Sequence, residues 1–181
     1  MKSDIVTTLY DKYYAGNEPL RDILSVHSRS VAEMALDVAR RHPELGVNEV
    51  FLYEAAMLHD IGIFKCDAPG ICCHGTAPYI CHGILGAELL RAEGLPQHAR
   101  VAERHTGTGI TLQAIVRQQL PLPQRDYSPE SIEEQLICYA DKYFSKTHLE
   151  RVRTPEQVLK SLEKFGSESV ERMQQWMVLF A

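Results

Sequence analysis

The sequence predicts an all-α protein, a single-domain helical bundle, on three observations. Apolar residues recur at intervals of three and four through most of the chain. Helix-start and helix-stop residues punctuate those stretches, and no segment alternates apolar with polar residues as a half-buried strand would. At 181 residues, with 45% apolar and 24% charged, the chain is long enough for one substantial core. All of 1–181 is read as one domain, with a core over about 20–150 and C-terminal helices over 155–180 packed on it.

Pro19 is tolerated in a first helical turn. Leu20, Ile23, Leu24, His27, Val31, Met34, Ala35 and Val38 then share one face of a helix running to Arg41, which points His27 toward the core. Asn48 can cap a second helix over 49–60, along which Phe51, Ala55, Leu58 and His59 approach the centre before Gly62 stops it. From Phe64 to Cys81 the pattern dissolves into a long loop rich in Gly, Pro and Cys, a length often used for lids or binding elements. Helical spacing resumes over His82–Glu93 and ends at Gly94-Leu95-Pro96, and a short helix over Gln97–Arg104 delivers His105. Thr106–Thr111 is too glycine-rich for a helix interior, and Leu120–Pro123 is extended or turning.

Ser128 as N-cap, Pro129 at the first helical position and acidic residues after it predict a helix carrying Ile132, Leu136, Ile137, Ala140, Asp141 and Phe144. Thr154-Pro155-Glu156 opens another, and Ser167–Leu179 closes the bundle. Trp176–Phe180 form an apolar end that the core or a partner must cover, which leaves a homo-oligomer open.

A net charge of -5 argues against a partner that is a nucleic-acid polymer, but not against a local basic patch for a small phosphorylated molecule. The first residues have no long apolar h-region, and no stretch approaches the roughly 20 apolar residues that span a bilayer, so a cytoplasmic protein with no membrane partner is expected. The cysteines, Cys66, Cys72, Cys73, Cys81 and Cys138, read as mostly free thiols. A structural zinc among those of the loop and His74 is disfavoured, because adjacent Cys72 and Cys73 are not the Cys-x2-Cys pair of such sites.

The most informative run is Leu58-His59-Asp60-Ile61-Gly62, which puts an imidazole nitrogen and a carboxylate oxygen side by side at an apolar helix end. That mixed donor set suits divalent ions such as Fe, Mn, Ni or Zn, and coordination offsets the cost of burying a charged carboxylate. Alone, the pair reads better as a helix cap at His59 and the start of a turn at Asp60. His27, His82, His105 and Asp141 also sit at helix ends or on apolar faces, and Asp141 follows Ile137-Cys138-Tyr139-Ala140, a poor setting for a solvated carboxylate.

In this order, His27, His59-Asp60-Ile61-Gly62 and Asp141 in Ala140-Asp141-Lys142, the chain resembles the HD superfamily of metal-dependent phosphohydrolases from about residue 20 to about residue 150. With His82 and His105 between the His-Asp pair and the last aspartate, it is similar to the six-ligand subgroup. That subgroup includes symmetrical diadenosine tetraphosphate hydrolases and small HDIG proteins. It departs from the single-metal nucleotidases, which lack the extra pair, and has no Gly-Tyr-Pro signature of cyclic-di-GMP phosphodiesterases. The resemblance implies an HD-type bundle holding two divalent ions. Asp60 would bridge them, with His27, His59 and Asp141 completing one site and His82 and His105 the other.

It further implies hydrolysis of a nucleotide or related small phosphate ester by metal-activated water. Asp60, Lys65 and Lys142 are the expected catalytic residues, with Arg29, Arg104 and the Thr106–Gly109 backbone as further phosphate partners. The alternatives are a catalytically silent nucleotide-sensing domain and a mixed-valent di-iron oxygenase of the same fold.

Overall fold

Helix α2 (Glu18–Arg41) is the longest element and the floor on which the others assemble, and a computed structural model describes residues 3–181. Asn17 caps it, accepting from the Leu20 N–H at 3.2 Å, one residue earlier than Pro19 suggests. Helix α1 (Asp4–Tyr14) precedes it, and α3 (Glu49–Leu58) and later α7 (Ile132–Asp141) pack against it. Between α3 and α7 lie α4 (His82–Ala92), α5 (Pro96–Arg104) and α6 (Leu112–Gln118), with α4 laid along α5. Helices α8 (Pro155–Leu162) and α9 (Ser167–Leu179) pair with each other, and α9 returns to α7.

The core is one continuous apolar cluster from Val6 to Phe180, with a smaller one formed by Ile110, Ile115, Leu122 and Tyr127. The fold is therefore all-α, as the periodicity predicts, apart from a short ladder. In it β1 (Asp67–Ala68) runs antiparallel to β2 (Cys73–His74), pairing Asp67 with His74 and Ala68 with Cys73. The segment expected to be a long loop thus has its own order, with 3-10 turns at Ile63–Lys65, Pro69–Ile71 and Tyr79–Cys81 around that ladder.

Two elements escape the sequence reading, and one start is corrected. Helix α1 buries Val6, Leu9, Tyr10 and Tyr14, a helical spacing diluted by Thr and Lys neighbours. Helix α6 is short, with Thr111 accepting from the Ala114 N–H at 3.1 Å. Helix α7 begins at Ile132 behind Ser131, whose hydroxyl accepts from the Glu134 N–H at 3.2 Å, and not at Ser128-Pro129. Ser128 is committed elsewhere: its carbonyl accepts from Arg104 at 2.9 Å, and Gly109 packs directly against Ser128 and Pro129. Thr154 opens α8 as expected, through a reciprocal capping box with Gln157. At the C-terminus the core covers Trp176 and Phe180, while Val178 is 81% exposed.

Close backbone approach sets where the His-Asp turn meets its neighbours. A Cβ on Gly62 would lie 2.3 Å from the Gly86 amide nitrogen and 2.4 Å from the His82 carbonyl, and one on Gly83 would lie 2.5 Å from the Ala102 carbonyl. Only glycine lets the turn after α3, the start of α4 and the end of α5 stack this tightly. Gly62→Ala is expected to cost about 3 kcal/mol, since backbone rather than a flexible side chain must move. At about 2–4 °C per kcal/mol the melting temperature should fall by roughly 6–12 °C, measurable by circular dichroism. An unchanged melting curve would mean that this contact does not hold α3 to α4.

Candidate metal centre

Six donor residues arrive from five directions. His27 comes from the middle of α2, His59 caps α3, Asp60 lies in the turn that follows, His82 begins α4, His105 caps α5 and Asp141 ends α7. Helix termini suit this convergence, because each can end against a common centre without its shaft crossing a neighbour. The hydroxyls of Tyr10 and Tyr14 donate to the Met57 and Ile61 carbonyls at 2.5 and 2.7 Å, tying down carbonyls that the end of α3 leaves unpaired. Helix α1 therefore braces the His-Asp turn from behind.

All six side chains are buried, Asp60 and His59 completely. They fall into two groups that share Asp60. Asp60 Oδ2 lies 3.2 Å from His27 Nε2 and 3.0 Å from His59 Nε2, and Asp141 Oδ1 lies 3.0 and 3.5 Å from the same two nitrogens. Asp60 Oδ1 faces the other way, 3.4 Å from His82 Nε2 and 3.3 Å from His105 Nε2. In each group the donor atoms lie within 4.8 Å of one another.

These contacts are close without being hydrogen bonds. His27 Nε2, His59 Nε2 and both Asp60 oxygens have no aligned partner among the described residues. Two ligands each about 2.1 Å from one ion sit about 3.0 Å apart at a right angle and about 3.4 Å apart at a tetrahedral angle, which is the spacing found here. Buried polar atoms aimed at a shared point with no aligned hydrogen bond fit a metal ion better than a hydrogen-bonded core.

The imidazole tautomers agree. The Nδ1 atoms of His59, His82 and His105 lie 2.6, 2.6 and 2.7 Å from the carbonyls of Ala56, Tyr79 and Ala102. A carbonyl only accepts, so each Nδ1 carries a hydrogen and points Nε2 inward; in the neutral ring that Nε2 is bare, the orientation found in metal-bound histidines. His82 Nε2 and His105 Nε2 stand 2.9 Å apart. Burial lowers both pKa values, that of His82 to about 3, so both rings are neutral. Two lone pairs that close repel unless they share a cation.

Burial works to raise the carboxyl pKa values, but His59 and Lys146 hold Asp60, and Lys142 and His27 hold Asp141, well below the usual range. Both are therefore carboxylates. Burial also opposes a charge on His59, yet Asp60 and Asp141 outweigh it and raise that pKa to about 9. A metal at this group must displace that proton.

The six expected ligands are thus brought together, and the cluster could hold metal ions. Lys142 reaches the edge of the cluster, its Nζ 2.6 Å from Asp141 Oδ2. Lys65 is not brought there: it ends the 3-10 turn after Gly62, its carbonyl accepts from the Thr76 and Ala77 amides, and it does not line the cavity. Arg104 is drawn away by Glu130 at 2.6 Å, and Arg29 is exposed on α2. Thr106 and Gly107 line the cavity beside the cluster, and the cysteines are free thiols, with burial pushing Cys73 and Cys138 up to about 12.

The cation missed in the sequence is Lys146, whose Nζ lies 2.5 Å from Asp60 Oδ2. Only the turn after α7 returns it to the cluster, and a lysine in Phe144-Ser145-Lys146-Thr147 carries no periodic signal.

No helix among the described residues is long and apolar enough to cross a membrane. A tRNA (cytidine(56)-2'-O)-methyltransferase of Picrophilus torridus is 32% identical over 148 residues, covering 81% of this chain and 38% of that protein. An uncharacterised protein of Methanocaldococcus jannaschii is 37% identical over 133 residues, covering 73% of this chain and 68% of its own length. A methyltransferase of the same name from Thermoplasma volcanium is 34% identical over 125 residues, covering 68% and 32%. The chain therefore spans less than two fifths of either methyltransferase.

Among solved structures, the HD domain of the L. monocytogenes phosphodiesterase PgpH superposes with a TM-score of 0.52 at 15% identity, covering 96% of this chain and 95% of that one. The same domain in complex with cyclic-di-AMP gives 0.53 at 15% identity, covering 94% and 92%. At that identity the likeness is one of fold. The HD domain family model matches residues 24–145, a span that holds all six donors, and the chain belongs to the HD domain family.

Proposed function

We propose that the protein is a metal-dependent phosphohydrolase that cleaves a nucleotide or related small phosphate ester at a two-ion centre. The observation that carries this reading is a cavity of about 480 Å³ that opens on His82, His105 and Asp141. Its remaining charged lining is basic: Lys142, Lys146, Arg153 and Lys164. A protein of net charge -5 that gathers four cations around one cavity has a place for an anion. The volume suits a small molecule rather than a polymer.

His27, His59 and Asp141 with Asp60 Oδ2 would hold one ion, and Asp60 Oδ1 with His82 and His105 the other. When bound, such ions supply a hydroxide near neutral pH and neutralise charge developing on the phosphoryl oxygens. Lys146 and Lys142, already beside the two carboxylates, are placed to take the phosphate's non-bridging oxygens as point charges. Lys146 replaces Lys65 in the catalytic set. Water adds to phosphorus, the ester oxygen leaves, and the departing alkoxide takes the proton that the water gives up.

The cyclic-di-AMP bound to the L. monocytogenes HD domain supports a nucleotide ligand. The names of the two methyltransferases describe proteins more than twice as long as the part shared with this chain, and hydrolysis is proposed for that shared part alone.

The test is elemental analysis of protein purified without chelator, alongside release of nitrophenol and of phosphate from p-nitrophenyl phosphate and a nucleotide panel. About two metal equivalents are expected, falling to one in His82→Ala and His105→Ala. Lys146→Met is expected to lose roughly 10–100-fold in kcat/KM, the scale of a hydrogen bond to a charged group. Full activity after chelation would overturn the proposal. Nucleotide binding without turnover across the panel would favour the silent sensing domain, and oxygen uptake the di-iron oxygenase.

A further inference from the structure

We propose that the outer wall of the cavity is a specificity subsite for a second phosphate, so that the substrate is a nucleotide with a phosphate beyond the one cleaved. This rests on the phosphohydrolase reading and adds the substrate class. Arg153 and Lys164 bind that second phosphate, and Phe165 provides the face against which the nucleoside packs.

The wall does not come from the family-matched span. That span ends at residue 145, yet Arg153, Ser161, Lys164 and Phe165, from α8 and its flanks, line the same cavity as His82 and His105. Its cations also differ from the inner pair. Lys142 and Lys146 lie 2.6 and 2.5 Å from the Asp141 and Asp60 carboxylates, whereas Arg153 and Lys164 have no carboxylate partner among the described residues.

Arg153 is nevertheless fixed in place. Its Nη1 donates to the Lys142 carbonyl at 3.0 Å and its backbone N–H to the Tyr143 carbonyl at 2.8 Å, which leaves the other guanidinium N–H groups for a ligand. Phe165 is positioned as well. Its ring lies 3.5 Å from where a Cβ on Gly107 would stand, against the turn that follows His105, and Lys164 Nζ lies 5.0 Å from the ring centroid.

Charge matching gives the substrate class. The phosphate being cleaved faces the metal cluster, Lys142 and Lys146, and a substrate with only that phosphate leaves Arg153 and Lys164 with nothing to neutralise. Among the described residues the sole carboxylate on the cavity wall is Asp141, at the metal end, and none of those on the outer wall repels a second anion. An aromatic ring that shares a cavity wall with two cations lacking a carboxylate partner suits a base or ribose face next to a phosphate.

The experiment compares adenosine monophosphate with adenosine diphosphate and adenosine 3',5'-bisphosphate as substrates of metal-loaded wild type, Arg153→Met, Lys164→Met and Phe165→Leu. Wild type should prefer the two-phosphate compounds by about tenfold or more in kcat/KM, carried mainly by KM, and Arg153→Met and Lys164→Met should each erase most of that ratio. Arg153→Lys, which keeps the charge, should retain part of it and so separate charge recognition from a folding defect. Phe165→Leu should weaken all three nucleotides without changing the ratio. Equal ratios in wild type and variants would overturn the subsite.

Isothermal titration of the same nucleotides into the metal-loaded protein separates the two readings. A binding preference that depends on Arg153 and Lys164 without turnover of any ester, p-nitrophenyl phosphate included, sinks hydrolysis alone. Turnover without a preference sinks the subsite alone.

Discussion

On the proposed two-ion reading, Asp60→Asn is expected to remove both metal ions and to lower kcat/KM by about a thousandfold or more, the largest effect of any single substitution in this protein. Asp60 is the one residue common to both donor groups, with Oδ2 toward His27 and His59 and Oδ1 toward His82 and His105. Asparagine keeps the shape and one acceptor oxygen, but its amide group cannot ligate. Whichever way it turns, one group receives two hydrogens in place of a lone pair, and the bridging charge is gone from both. A thousandfold loss corresponds to about 4 kcal/mol, in keeping with the several kcal/mol a metal contributes to phosphoryl transfer.

Asparagine is a better probe here than alanine. Alanine would also open a cavity and leave the Lys146 ammonium with a void where its carboxylate stood, so misfolding could imitate loss of catalysis. The measurements are metal content, kcat/KM on a phosphate ester and the circular dichroism spectrum. A folded Asp60→Asn protein that retained two equivalents and full rate would show that Asp60 does not join the two groups.

Much of this site is legible in the sequence because its donors lie on strongly periodic elements. His27 shares the apolar stripe of α2, His59 and Asp60 end α3 at Gly62, and Asp141 closes an apolar run of α7. A polar residue on an apolar stripe has to be satisfied inside, and this gives such positions away. The residues that escaped have no stripe. Lys146 sits in an irregular turn, Arg153 and Lys164 flank a helix without belonging to any motif, and tertiary contacts alone assemble them around the cavity. Tyr10 and Tyr14 escaped for another reason, since two hydroxyls that bond carbonyls of a later helix and of the turn after it leave no trace in local pattern. Ser128-Pro129 misled because its capping chemistry is sound locally, but Arg104 and Gly109 hold that segment against the end of α5.

Metal removal should lower the melting temperature by roughly 8–16 °C for each site emptied from a thousandfold excess over its dissociation constant. A ligand at that excess stabilises the folded state by about 4 kcal/mol, and a domain of this size shifts about 2–4 °C per kcal/mol. The geometry of the cluster supports such a stabilising role for bound metal. Asp60 is completely buried with neither oxygen in an aligned hydrogen bond, and the Nε2 atoms of His82 and His105 stand 2.9 Å apart.

The Lys146 ammonium is the cation nearest Asp60 and offsets part of the cost of burying that charge, while burial leaves little water to help. Lys146→Met should therefore destabilise the chelated protein more than the metal-loaded one and widen the difference between their melting temperatures. Differential scanning calorimetry with and without chelator, followed by re-addition of manganese, measures both quantities. If chelation left the melting temperature of wild type and Lys146→Met unchanged, the six buried donors would have to satisfy one another. The 2.9 Å approach of His82 Nε2 to His105 Nε2 could then persist only if one of those rings carried a second hydrogen and donated it to the other.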